Sequence, residues 1–335
     1  MSYQQLIRIN ELDLSSKKVV IVGAGWMADQ YCQALKAMNI QAVTVISRKE
    51  QSAKACCEKY QYQPRHGGYR DALLKLAGAD LIIIATPVHE LKLAAEFAAG
   101  LGYKNILVEK PGTLYSETMM EWAQKADKQD ARIRIAFNRH TYPSLWKLKE
   151  LAEIDGGITS CHYTFTEWVH TINFQNNEQD VYQRWGIANS LHVIAMAHTL
   201  IGMPKEMTSY KNGGLSWHPT GEQFAGAGET DKGVLFSYHA NWTSAGRWGI
   251  EIMTPKNAYR LIPLEKLFRC PKGSVNWEQL EINAAYPTVK EGIAEEVAIM
   301  LVPEMENKYP LATLHQAAKF LIFAENIFNY PANIT

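Results

Sequence analysis

An apolar run at Ile106, Leu107 and Val108 stops at Glu109-Lys110-Pro111-Gly112. Buried strands seldom end in a charged pair unless something at the strand end uses it, because a charge taken from water needs a partner. A lysine held there can neutralise a phosphate, pair with its neighbouring carboxylate, or donate a proton. Gly23-Ala24-Gly25-Trp26-Met27-Ala28 is a second segment with a chemical use. Gly23 permits a tight turn and Gly25 lets the backbone approach a pyrophosphate. Ala28 lets the next helix pack closely with its N-terminus toward the phosphates. Gly23, Gly25, Trp26 and Met27 are thus expected cofactor contacts. Further on the chain reads Ile46-Ser47-Arg48-Lys49, where an acid would usually accept from ribose hydroxyls. A hydroxyl beside a guanidinium suits a ribose 2′-phosphate, so Ser47 and Arg48 point to NADP(H). In the alternative, Arg48 and Lys49 are solvated loop cations, Glu50 supplies the acid, and NAD(H) binds.

The elements that must position these groups alternate. Strands are expected at 17–22, 43–46, 81–84, 106–108 and 133–137, and helices from the glycine segment to Met38 and at 52–60, 69–76, 89–99 and 116–128. Continuous apolar strands separated by helices predict a parallel sheet covered on both faces, a doubly wound α/β fold. Open sheets of this kind bind ligands at the carboxyl ends of their strands. Thr86, Pro87 and His89, just past one such end, are expected to line the crevice, and Glu109 and Lys110 share that edge.

At 335 residues two domains are the default. The 34 basic and 34 acidic side chains balance, which gives no sign of a nucleic-acid or membrane-surface partner. No apolar run approaches the roughly 20 residues a membrane helix needs, and the polar N-terminus lacks the pattern of a secretory signal. A cytoplasmic location is expected. Five cysteines without a CxxC, and ten histidines without an HExxH pair, predict ordinary thiols and no metal site.

The order GAGWMA, ATPVHE and VEKP, followed by Phe137-Asn138-Arg139 and Pro143, resembles the glucose-fructose oxidoreductase, inositol dehydrogenase and rhizopine-catabolism (Gfo/Idh/MocA) family. The resemblance implies an NADP(H)-binding Rossmann domain over 1–137, with Asn138 at its cofactor edge. It further implies an α+β domain over 138–335 with a large open mixed sheet, which binds substrate and joins subunits into a homodimer or homotetramer. The last helix is expected to fold back on the first domain. In such enzymes the lysine of the EKP segment approaches both the nicotinamide and the reacting hydroxyl or carbonyl. That makes Lys110 the expected proton donor.

The family's Asp-x-Gly-x-His-x-x-Asp helix start aligns with Ala188-Asn189-Ser190-Leu191-His192-Val193-Ile194-Ala195. His192 is kept, while Ala188, Ser190 and Ala195 stand for both acids and the glycine. His192 is the second catalytic candidate, as acid, base or hydrogen-bond donor. Asn189 is a helix cap or a substrate contact. Aromatic and polar residues crowd the second half, among them Tyr163, Glu167-Trp168, Tyr182, Arg184-Trp185, Trp242 and Arg247-Trp248. Aromatic faces with nearby donors fit a polyol, and Arg184 or Arg247 suits an anionic group. Ordinary packing of a half-buried sheet explains many of them equally well.

The expected activity is hydride transfer to or from a hydroxyl or keto carbon of a sugar, amino sugar or nucleotide-linked sugar. Two alternatives stand beside it. One is a cofactor-dependent sensor without turnover; the other is different family chemistry, either cyclic-imine reduction or cofactor-retaining glycoside cleavage.

Overall fold

The computed structural model describes residues 2–332. Six parallel strands form the first sheet: β1 (Lys18–Val22), β2 (Ala42–Ile46), β3 (Gln63–Arg65), β4 (Leu81–Ile84), β5 (Asn105–Glu109) and β6 (Arg132–Ala136), in the order β3-β2-β1-β4-β5-β6. Val19 to Val22, Leu81 to Ile84 and Ile106 to Val108 are buried throughout, as strands covered on both faces must be. The covering helices are α1 (Ser2–Leu6), α2 (Trp26–Ala37), α3 (Glu50–Glu58), α4 (Tyr69–Leu74), α5 (Val88–Gly100) and α6 (Ser116–Ala126). Strand order reverses between β1 and β4, so the ends of β1, β2, β4 and β5 open onto one crevice. β3 is not anticipated from sequence. Its three residues are exposed and include Pro64, which only an edge strand tolerates.

Beyond Phe137 a 3₁₀ turn (Asn138–Thr141) leads to α7 (Pro143–Ile154), β7 (Ser160–Phe165), α8 (Gln179–Gln183), a π-helical turn (Gly186–Ser190) and α9 (Leu191–Ile201). Strands β8 (Pro204–Asn212), β9 (Gln223–Thr230), β10 (Leu235–Asn241), β11 (Trp248–Met253), β12 (Asn257–Leu261), β13 (Leu267–Pro271) and β14 (Glu278–Leu280) join β7 in a second sheet. Its order is β14-β13-β12-β11-β7-β10-β9-β8; β7 and β10 run parallel and the other neighbours antiparallel. This is the mixed sheet that the resemblance implies. Cys161, Tyr163 and Phe165 of β7 are buried while Ser160, His162 and Thr164 are not, so one face carries the core. α9 lies against that face at β7 and β11. Leu264 to Phe268 reads as a strand from its sequence, but the strand starts only at Leu267, because Pro263 to Lys266 form a turn closed by the Lys266 N–H on the Pro263 carbonyl.

The chain closes with α10 (Ile293–Leu301), α11 (Pro303–Glu306) and α12 (Leu314–Phe328). Thr313 and Gln316 form a capping box that fixes the start of α12. α10 packs on α2 and α12 packs on α6. Apolar side chains from both sheets, including Val20, Ile84, Phe165 and Ile250, merge in one core, so the crevice and the second sheet are held against each other by packed helices.

Candidate active site

The crevice at the reversal point has a volume of about 1120 Å³ and is lined by Gly23, Gly25, Trp26, Met27, Ser47, Arg48, Thr86, Pro87, Glu109 and Lys110 among others. Gly23 has φ +122°, and a Cβ there would lie 2.2 Å from the Ala85 carbonyl oxygen, so glycine alone fits. Its N–H donates to the Ile46 carbonyl at 2.9 Å and ties the loop to β2. Gly25 caps α2 without a side-chain hydrogen bond, and a Cβ built on it meets nothing within 4 Å. The first-turn N–H groups of α2 thus face open space, the condition for receiving a pyrophosphate. The Thr86 hydroxyl is buried and has no partner among the described residues. These features fit a dinucleotide. Glu50 does not line the crevice; it pairs with Lys54 at 2.7 Å along the surface of α3.

Two expected cofactor contacts lie elsewhere. His89 lines a smaller recess between α5 and the loop that leads into α6, with its Nε2 3.1 Å from Asp180 Oδ1. Asn138 is buried, and its amide donates to the Glu291 carbonyl at 3.0 Å, tying the crossing segment to the approach to α10.

Lys110 stands where the crevice meets the second sheet. Its Nζ donates to the Ala188 carbonyl at 2.5 Å. Burial lowers its pKa to about 8; Arg139 and Lys290 push the same way, and Glu109 and Glu167 oppose them. The π-helical turn that offers the Ala188 carbonyl runs directly into α9, which carries His192 in its first turn. His192 is buried, with its ring 6.4 Å from Phe137 and 6.0 Å from Trp248, centroid to centroid. Its Nδ1 has no partner among the described residues. Burial, then Arg139, Lys110, Lys290 and His140, hold its pKa well below the usual value, so the imidazole is neutral at physiological pH. Of the roles open to it, the imidazolium acid is the one this environment opposes.

The acids missing from the α9 motif are matched by a carboxylate from another element. Glu167, just after β7, is buried and accepts from Asn189 Nδ2 at 2.8 Å and from Ser190 Oγ at 2.5 Å. Arg247 Nη1 lies 3.6 Å from its Oε2. Arg247 also stacks on Trp168 and Trp248 at 4.6 and 4.4 Å, and Arg139 stacks on Trp248 at 4.8 Å. Asn189 is thus a fixed support for Glu167.

Arg184 does not reach the site. It is buried, donates to the carbonyls of Leu114 and Pro331 at 2.9 Å, and pairs with Glu325 at 2.5 Å. With Ser116 also donating to Glu325, Arg184 locks α12 to the loop before α6. Trp185 stacks on Tyr182 at 5.8 Å, and its indole N–H faces Glu167 and favours that carboxylate's charged form. Sequence reasoning passed over Lys290, Tyr31 and Glu296. They belong to no local motif and meet the site only because α10 packs on α2.

Residues 17–137 match the model of the oxidoreductase family with an NAD-binding Rossmann fold, Gfo/Idh/MocA. The match is confined to that domain, the part of the chain that carries the first sheet. The chain is 31% identical over 119 residues to shikimate dehydrogenase (NADP(+)) of Xanthomonas euvesicatoria, which is 34% of this chain and 42% of that protein. It spans less than half the length of the curated relatives it matches. Among solved structures, an oxidoreductase from Thermotoga maritima has a TM-score of 0.76 at 18% identity, covering 93% of this chain and 95% of that one. UDP-N-acetylglucosamine 3-dehydrogenase from Acidithiobacillus ferrooxidans has a TM-score of 0.72 at 14% identity, covering 93% and 97%. These likenesses extend the fold assignment across both sheets. No helix among the described residues is long and apolar enough to cross a membrane.

Proposed function

We propose that this Gfo/Idh/MocA protein is an NADP(H)-dependent oxidoreductase acting on a hydroxyl or keto carbon of a sugar, amino sugar or nucleotide-linked sugar. The observation that carries the reading is the position of Lys110, which lines the dinucleotide crevice and hydrogen-bonds the turn leading into His192. When bound, the nicotinamide supplies or accepts the hydride. Lys110 donates a proton to the substrate oxygen as a carbonyl is reduced and takes it back as an alcohol is oxidised. Its positive charge also stabilises the developing alkoxide. The Ala188 carbonyl orients the ammonium. His192, neutral and with a free ring nitrogen, orients the substrate by hydrogen bonding. Glu167 and Arg247 supply a carboxylate and a guanidinium for further hydroxyl or anionic groups.

The preference for NADP(H) is supported by Ser47 and Arg48 on the crevice wall and by Glu50 pairing away from it. It is also in keeping with the cofactor in the name of the shikimate dehydrogenase relative. The sugar class draws support from the dehydrogenase of the nucleotide-linked sugar that shares the fold. The uncovered face of the second sheet, where Ser160, His162 and Thr164 point, is the surface we assign to self-association, to be read as a dimer or tetramer mass by light scattering.

The test follows nicotinamide absorbance with NADPH or NADH against ketosugars and nucleotide-linked ketosugars, with the oxidised cofactors and corresponding alcohols in parallel. Consumption selective for NADPH supports the reading. Tight NADPH binding with no turnover on any member moves the assignment to a sensor or to cofactor-retaining chemistry.

A further inference from the structure

At the residue before Lys110, three ionisable groups from three elements meet in the interior. They are Tyr31 of α2, Glu109 at the end of β5 and Glu296 of α10, and their side chains are 0%, 8% and 0% exposed. Tyr31 Oη lies 2.8 Å from Glu109 Oε1 and 2.9 Å from Glu296 Oε1. A phenol has one proton and donates once. With both carboxyls ionised, one would face the phenol oxygen without a donor, and two like charges would flank one hydroxyl in the interior. The second carboxyl must therefore carry a proton and donate it to Tyr31.

The surroundings say which one. Glu109 accepts from the Lys110 backbone N–H and faces the charges of Lys110 and Lys290. Glu296 faces Glu109, Glu295 and Tyr31, and its Oε2 has no partner among the described residues. Burial and then the charge of Glu109 hold the Glu296 pKa well above the ordinary carboxylate range.

We propose that Glu296 carries a resident proton and, through the hydroxyl of Tyr31, keeps Glu109 ionised beside Lys110. The order is Glu296 Oε1–H to Tyr31 Oη, then Tyr31 Oη–H to Glu109 Oε1, with no net charge beyond the one on Glu109. Tyr31 and Glu296 are positioning residues, and their effect on chemistry passes through the charge state of Lys110. That consequence rests on the reading of Lys110 as proton donor; the proton assignment itself does not. Four charged groups bear on Lys110: Glu109 and Glu167 favour its ammonium, while Arg139 and Lys290 oppose it. Neutralising Glu109 removes the stronger of the two supports.

The experiment uses two readouts that need no substrate. Infrared difference spectra of the whole protein at neutral pH, wild type against Glu296→Gln, should show loss of a protonated-carboxylic-acid carbonyl band. Glu295, whose pKa burial raises to about 7, contributes equally to both samples and cancels. The second readout is a pH titration of the Lys110 Cε resonance in protein labelled with ¹³C-lysine, assigned by its absence in Lys110→Met. Glu296→Gln should leave the Lys110 midpoint in place, since the glutamine amide donates to Tyr31 as the acid does. Tyr31→Phe should lower the midpoint by about one pH unit or more, because Glu109 then takes up a proton and an opposite charge is lost. Absence of the acid band, an unmoved midpoint in Tyr31→Phe, or an equal shift in Glu296→Gln would each overturn the proposal. A failed search for substrates would strike the oxidoreductase reading and leave these readouts intact.

Discussion

The crevice that Lys110 lines and the cluster of side chains around His192 are built by different means. The crevice is made largely of backbone: the Gly23 turn, the uncapped N-terminus of α2 and the loop after β4. The cluster is made of side chains, Glu167, Asn189, Arg139 and Arg247 with Trp248, drawn from several segments and holding one another beside His192. Backbone donors come with the fold and serve any dinucleotide, whereas mutually supported side chains present one fixed set of polar groups to a substrate. The difference predicts that changes to the exposed side chains of the crevice wall, such as Arg48, alter cofactor choice and leave stability alone. Changes in the cluster around Glu167 alter both stability and chemistry.

The largest effect is expected at the junction itself. Lys110→Met should lower turnover by about a hundredfold or more while NADPH affinity changes little, the usual weight of a positioned proton donor. Equal loss of binding and turnover would make Lys110 a crevice residue only. Next comes the cluster around Glu167. Glu167→Ala leaves Asn189 and Ser190 without their acceptor and should destabilise the protein by about 2–3 kcal/mol, read from urea midpoints, with Glu167→Gln costing less. The smallest effect belongs to the crevice wall. Arg48→Ala should weaken NADPH binding by about tenfold and leave NADH binding and the urea midpoint unchanged. A stability loss there would erase the contrast between the two sides.

The same contrast explains what the sequence discloses. The limits of β4 can be read directly, and the glycine turn, Ser47-Arg48 and Glu109-Lys110 announce themselves because each is a short segment with its own physical logic. β8 and β9 are not legible, since β8 is polar with no buried residue and Gly226 and Gly228 interrupt β9. His89 and Asn138 are adjacent in sequence to true crevice residues, yet each side chain turns to a partner from the second half, Asp180 and the Glu291 carbonyl. Arg184 reads as an anion site only until Glu325 arrives from 141 residues away. Glu167 supplies a carboxylate that the α9 motif lacks, and only the fold brings it beside Asn189 and Ser190. Nothing local in the sequence pairs Tyr31 with Glu296.

The central claim is that Lys110 moves the proton that accompanies hydride transfer, and its pKa of about 8 gives that claim a direction. Reduction needs the ammonium, which is present below that value; oxidation needs the free amine, which is present above it. The deciding measurement is the pH dependence of the hydride-transfer rate in both directions on the same substrate pair. The account predicts that reduction falls and oxidation rises as pH passes through about 8, and that Lys110→Met abolishes both limbs. Limbs of the same sign in both directions, or limbs that survive in Lys110→Met, would contradict it.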